Sequence, residues 1–153
     1  MYLKNALISL LLLISSSVFG QIKIDDVGDG WKSKVDSALS LIEKTSPSHY
    51  KEVIENCNYV TFWLGNFSTT QDSSTVVISV KDMKLGSVNN IACILIHESH
   101  HLYFKRNKIK MDVNKEELLC YQYEYEFLQQ IPNAENWLTI HVIKSILRYK
   151  GDL

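Results

Sequence analysis

Residues 91–104 read IACILIHESHHLYF, and this stretch decides how the rest of the chain is interpreted. Within it, residues 97–101 have the form H-E-x-x-H. On an α-helix, residues four apart lie one turn above each other on the same face, so His97 and His101 can direct two imidazoles at one metal ion. Glu98 is rotated by about 100° from His97, since a helix has ~3.6 residues per turn. Its carboxylate is therefore predicted to reach a metal-bound water rather than the metal.

The residues around the motif indicate where this helix lies. The run from Ile91 to Ile96 is apolar on all sides, which is typical of a helix buried inside a domain. Imidazole and carboxylate groups on such a helix are costly unless something pairs with them. A metal site is favoured over a core histidine pair satisfied by backbone carbonyls. His100 lies about 60° from His97, away from Glu98, and is predicted to flank the site rather than bind the metal.

The three motif side chains resemble the active-site helix of the zincin metallopeptidases. In that family the two histidines, here His97 and His101, hold a zinc ion, and the glutamate, here Glu98, is the general base. The resemblance implies a zinc-dependent peptidase that acts on a peptide or protein substrate. It also implies a sheet edge to which an extended peptide can add, and residues 75–80 are the candidate for that edge. A core strand without substrate contact is the alternative for these residues.

A second helix, predicted over residues 115–130, can supply a third ligand. A catalytic zinc usually has three protein ligands and one position for water. Glu117 lies on the more apolar face of this helix and is predicted to point inward, while Glu116 is the alternative if the helix is rotated by one residue. A glutamate from a following helix resembles the gluzincin subgroup. Gluzincins often have an aspartate four residues further on, where this chain has Tyr121, which is predicted to orient a histidine through its hydroxyl or to pack.

The remaining sequence predicts a small α+β domain, with a short antiparallel sheet packed on the motif helix and further helices. Two β-branched and aromatic segments, residues 59–64 and 75–80, predict the strands. Residues 81–88 are predicted to be a loop. Helical spacing predicts the other helices at residues 31–45, 48–56, 90–106 and 134–149. The last helix is predicted to bury Trp137, Ile140, Ile143, Ile146 and Leu147.

Residues 1–20, MYLKNALISLLLLISSSVFG, have the layout of a bacterial-type secretory signal peptide. Lys4 precedes an apolar run over residues 6–14, which is shorter than the ~20 residues needed to span a bilayer. Cleavage is expected after Gly20, without stable membrane insertion. The sequence thus predicts export to the periplasm or the medium, and residues 21–153 are predicted to form one zincin-like domain.

The composition limits the partners that the protein can have. A net charge of −1 without a basic tract gives no support for nucleic-acid binding. Three cysteines, Cys57, Cys93 and Cys120, permit one disulfide and one free thiol, or no disulfide. Cys93 and Cys120 fall near the predicted ligands and could line the site, although a small buried apolar role is favoured for both.

The predicted mechanism is peptide hydrolysis by a zinc-activated water, with Glu98 taking the proton of that water and passing it to the departing amine. Four residues are candidates to stabilise the oxyanion, and the sequence does not choose among them: His141, Tyr121, Tyr123 and Tyr125. The polar neighbours of His141 favour a solvent-exposed position. Two alternatives remain open, a noncatalytic binding or inhibitory module that holds zinc, and a helical protein without metal.

Overall fold

The computed structural model describes residues 21–152 and confirms the α+β class, with six helices and a four-stranded sheet in that part of the chain. The elements in chain order are β1 (Lys23–Ile24), α1 (Trp31–Thr45), α2 (Pro47–Asn56), β2 (Tyr59–Trp63), β3 (Thr69–Thr70), β4 (Thr75–Ser79), α3 (Val80–Leu85), α4 (Val88–Arg106), α5 (Val113–Leu128) and α6 (Asn136–Lys150). The predicted signal peptide lies outside the described residues. Within them, none of the helices combines the length and apolarity that crossing a membrane requires.

Helix α4 lies at the centre of the fold and packs against α1, α2, α5 and β4. Its first turn is capped by the Ser87 hydroxyl, which accepts a hydrogen bond from the backbone N–H of Asn90 at 3.1 Å. Ile91, Leu95 and Ile96 are fully buried. Since apolar residues surround this helix on most sides, its position is fixed by packing. The histidines that follow are thereby held at one place in the domain.

The two predicted strands pair in parallel, so the predicted antiparallel pairing is wrong. Tyr59 lies opposite Thr75, and Trp63 lies opposite Ser79. The reason is the polar connection between them, which contains the two-residue strand β3. This strand reverses the chain and pairs antiparallel with β4. A strand this short has no alternating pattern that could reveal it in the sequence.

The strand order β1-β2-β4-β3 places β4 inside the sheet, and all its residues are buried. The prediction that residues 75–80 form the edge of the cleft is therefore wrong. The edge on that side of β4 is β3. The predicted loop at residues 81–88 is also corrected, because residues 80–85 form α3. The Ser79 hydroxyl caps this short helix by accepting a hydrogen bond from the N–H of Asp82 at 3.0 Å.

The buried face of α6 differs from the predicted face. Leu138 and Val142 are buried, whereas Trp137, Ile140 and Ile143 are 51%, 52% and 37% exposed. The sequence of α6 contains two apolar stripes. The stripe with Trp137, Ile140 and Ile143 is predicted to be buried, but the stripe with Leu138 and Val142 is the buried one. Periodicity alone cannot distinguish two such stripes.

We expect Leu138→Ala to lower the free energy of unfolding by about 2–5 kcal/mol, because it removes a fully buried side chain. The matched control is Ile140→Ala on the same helix, which should change that free energy by no more than about 0.5 kcal/mol. Urea unfolding of both variants measures the difference. Equal losses would show that the two faces of α6 are assigned incorrectly.

Candidate metal centre

Helices α4 and α5 bring the side chains of His97, His101 and Glu117 to one point. The Nε2 atoms of the two histidines are 3.3 Å apart. Oε2 of Glu117 is 3.5 Å from Nε2 of His97, and Oε1 of Glu117 is 3.4 Å from Nε2 of His101. Each histidine therefore directs the same ring nitrogen toward the other histidine and toward one carboxylate.

These separations fit a zinc ion. In a tetrahedral zinc site the ligand atoms lie ~2.0–2.1 Å from the metal, so that neighbouring ligand atoms are separated by roughly 3.3–3.4 Å. The two imidazole nitrogens are 3.3 Å apart, and each lies 3.4–3.5 Å from a different oxygen of Glu117. Two imidazoles and one carboxylate are also a donor set of catalytic zinc sites, which keep one position open.

Two further glutamates of α5 hold the opposite nitrogens of the imidazole rings. Nδ1 of His97 lies 3.1 Å from Oε2 of Glu124, and Nδ1 of His101 lies 2.7 Å from Oε1 of Glu116. Because an ionised carboxylate can only accept, each Nδ1–H donates. These hydrogen bonds select the tautomer in which Nε2 has a free lone pair once the ring is neutral.

The structure places the predicted third-ligand candidates on different sides of the histidines. Glu117 faces both Nε2 atoms, whereas Glu116 contacts the outer nitrogen of His101. The ring of Tyr121 packs edge-on against His97, with centroids 4.4 Å apart. Tyr121 thus packs against His97, and the hydrogen bond that orients His97 is accepted by Glu124. Glu124 lies seven residues after Glu117, two helical turns along the same face, and this spacing could have identified it as a partner of the histidines.

Without a bound metal, protons on the two imidazole rings balance the negative charges of the surrounding carboxylates. Burial lowers the pKa of His97, but hydrogen bonds to Glu117 and Glu124 outweigh burial and raise it to about 10. Burial also lowers the pKa of His101, and Glu117 and Glu116 raise it overall. Hydrogen bonds from His101 and His97 lower the pKa of Glu117 to about 2. A metal ion would take the place of these protons.

Glu98 and His97 line a cavity of about 410 Å³. The Glu98 side chain is mostly buried, and burial raises the pKa of its carboxyl group, although His97 and His101 partly offset this effect. The other residues that line the cavity are Asn66, Phe67, Ser68, Asp82, Asn90, Ile94, Glu117, Tyr121, Glu124, His141 and Tyr149. Four other cavities are larger, at about 440–680 Å³, and none of them is lined by His97, His101 or a cysteine. The candidate site is thus identified by the residue types that line its cavity and not by the cavity volume.

Two of the four oxyanion candidates reach this cavity. His141 is exposed, as its polar neighbours predict, yet it lines the cavity together with Tyr121. Tyr123 instead stacks on His100, with ring centroids 4.3 Å apart, and Tyr125 lines a different surface groove. The structure therefore leaves His141 and Tyr121 beside the site.

His100 lies on the flank of the motif helix that the sequence predicts. Its Nδ1 is 2.6 Å from Oε1 of Glu52 on α2. The three cysteines are free and buried. Cys93 belongs to the hydrophobic core.

Cys120 is a second possible donor for the metal. Its sulfur and one ring nitrogen from each of His97 and His101 lie within 4.8 Å of one another. The oxygens of Glu117 lie 3.4 and 3.5 Å from the histidine nitrogens. In the metal-free protein, burial and the carboxylate of Glu117 raise the pKa of the Cys120 thiol far above its ordinary value, so binding of a metal by this thiol would release a proton. Either Glu117 or Cys120 can therefore complete a set of three donor residues with the two histidines.

Comparisons of this chain with protein-family models, with curated proteins and with solved structures find no match. The resemblance to zincins thus depends on residues 97–101 and on Glu117. The donor distances are independent of that resemblance. They follow from the packing of α4 on α5.

We expect zinc binding at pH 7 to release protons, because His97 has a pKa of about 10 without metal and a ligand imidazole must be neutral. The apparent zinc affinity should therefore increase as the pH rises toward 10. Glu124→Gln should lower the pKa of His97 and reduce the number of protons released. Exposed Glu126 on the same helix provides the control, Glu126→Gln. Calorimetric zinc titration in buffers of different ionisation enthalpy counts the protons, and zinc binding without proton release would contradict this arrangement.

Replacing the third ligand separates Glu117 from Cys120. Removing a group that only hydrogen-bonds to a metal ligand typically weakens metal binding ~10–100-fold. Glu117→Gln removes a ligand itself, so we expect it to weaken zinc binding by more than that. Cys120→Ser should leave the affinity within a few-fold of the original value. Competition with a chelating dye measures both. A larger loss in Cys120→Ser than in Glu117→Gln would assign the third position to the thiol.

Proposed function

We propose that the protein is a zinc-dependent peptidase, with His97, His101 and Glu117 as ligands and Glu98 as general base. One observation carries the proposal. The two imidazole nitrogens and the carboxylate of Glu117 have separations close to those of a tetrahedral zinc site, and His97 and Glu117 line a cavity together with Glu98. Because a signal peptide is predicted in residues 1–20, the proposal includes export of this peptidase to the periplasm or the medium.

In the proposed mechanism, each side chain of the site has a separate role. A zinc ion held here supplies a Lewis acid that lowers the pKa of a water molecule and polarises a carbonyl. Glu98 does not contribute to the three converging donors, which leaves its carboxylate free to transfer protons. It accepts a proton from water as the water oxygen bonds to the carbonyl carbon. It then delivers that proton to the amine nitrogen as the C–N bond breaks. His141 or Tyr121 is placed to donate a hydrogen bond to the developing oxyanion.

A peptide substrate can approach along β3. This strand ends the sheet in the described part of the chain, and the residues directly before it, Asn66 to Ser68, line the cavity. An extended peptide can add to such an edge by main-chain hydrogen bonds. The edge function expected for residues 75–80 is thus proposed for β3.

Glu98→Gln tests the proposal, since it removes the base and keeps the side-chain shape. We expect it to retain one equivalent of zinc and to lose at least ~100-fold in hydrolysis of an unfolded, fluorescently labelled protein. Glu126→Gln should retain zinc and activity, whereas His97→Ala should lose both. Zinc is measured by atomic absorption in protein purified without chelators.

The outcomes separate the competing functions. Undiminished hydrolysis by Glu98→Gln would exclude Glu98 as the base. Zinc in the native protein without hydrolysis would favour a noncatalytic binding or inhibitory module. Negligible zinc in both the native protein and His97→Ala would exclude a metal centre.

A further inference from the structure

A loop at the rim of the cavity exposes large apolar side chains. We call residues 63–67 the rim loop. Trp63 is 38% exposed, Leu64 is 92% exposed and Phe67 is 63% exposed. Several apolar side chains exposed side by side often indicate an interaction site.

Internal contacts fix the shape of the rim loop. The indole N–H of Trp63 donates to the carbonyl of Phe67 at 2.9 Å, and the two rings pack edge to face with centroids 5.5 Å apart. The indole covers Gly65 so closely that a Cβ atom there would lie 2.1 Å from it. A fixed loop loses little conformational entropy when it binds a ligand.

The residue after the loop is also fixed. The Ser68 hydroxyl donates to Oδ2 of Asp82 at 2.7 Å and accepts from the N–H of Ser79 at 3.0 Å. These bonds tie the end of the rim loop to β4 and α3. Phe67 is therefore held at a constant position beside the cavity.

The rim loop is continuous with the candidate catalytic site. Phe67 lines the same cavity as His97 and Glu98. A peptide that extends from β3 to Glu98 would lie beside Phe67, because Phe67 is two residues before β3. Ile94, Tyr121 and Tyr149 also line the cavity.

We propose that Phe67 selects polypeptide substrates with a bulky apolar or aromatic side chain next to the scissile bond. The proposal rests on the peptidase function proposed above. It names a peptide rather than a membrane as occupant, because the cavity wall beside the loop carries the carboxyl groups of Asp82 and Glu98, which anionic lipids would repel. Three side chains are also far fewer than the ~20–30 residues per partner of a stable protein interface.

Cleavage of a randomised peptide library, with products sequenced by mass spectrometry, tests the selection. The native protein should prefer Phe, Tyr, Leu or Met over Ala at one position beside the cleaved bond. Phe67→Ala should reduce that preference by about 10-fold or more, with zinc content unchanged, and Phe67→Leu should restore part of it. Leu85→Ala is the control, since Leu85 is 78% exposed on α3 and lies outside the cavity. A preference that persists in Phe67→Ala, or that is absent from the native protein, would overturn the proposal.

Binding without cleavage separates this proposal from the peptidase function. Two unstructured peptides that differ only in a central Phe or Ala are titrated into zinc-loaded Glu98→Gln protein. We expect the Phe peptide to bind at least about 10-fold more tightly, and Phe67→Ala in the same background to abolish the difference. If the native protein cleaves nothing but this difference is present, Phe67 still selects apolar peptides and only the hydrolytic function fails. Equal binding of both peptides would overturn the selection.

Discussion

The interface between α4 and α5 buries imidazole and carboxylate groups that must satisfy one another. Each of His97 and His101 has one ring nitrogen bonded to a glutamate of α5 and the other directed at Glu117. Loss of a single partner would leave a buried polar group unpaired, which is costly in an apolar interior. The packing of the two helices and the candidate site therefore depend on the same contacts.

Helix α5 supplies all three carboxylates that face the histidines. Glu116 and Glu117 are consecutive residues and so point about 100° apart, which allows one to bind the outer nitrogen of His101 while the other faces both Nε2 atoms. Glu124 binds His97 two turns further along. The rings are oriented by these hydrogen bonds whether or not a metal is present, so the donors are preorganised for a cation.

Local helical geometry explains what could be predicted. The four-residue spacing of His97 and His101 and the inward face of Glu117 are properties of single helices, and the structure brings these side chains together. The hydrogen bond between Glu124 and His97 depends on how α5 packs against α4, and no local sequence pattern specifies that packing. The direction of β4 likewise depends on β3, which has only two residues, and the buried face of α6 depends on which of two apolar stripes meets α5.

Zinc X-ray absorption of protein loaded with one equivalent of zinc tests the central claim most directly, because it reports the atoms that surround the ion. We expect a first shell of nitrogen and oxygen only, at ~2.0–2.1 Å from the zinc, together with the outer-shell scattering of two imidazoles. A sulfur atom in the first shell would contradict Glu117 as the third ligand. A spectrum without imidazole scattering would contradict the metal centre itself.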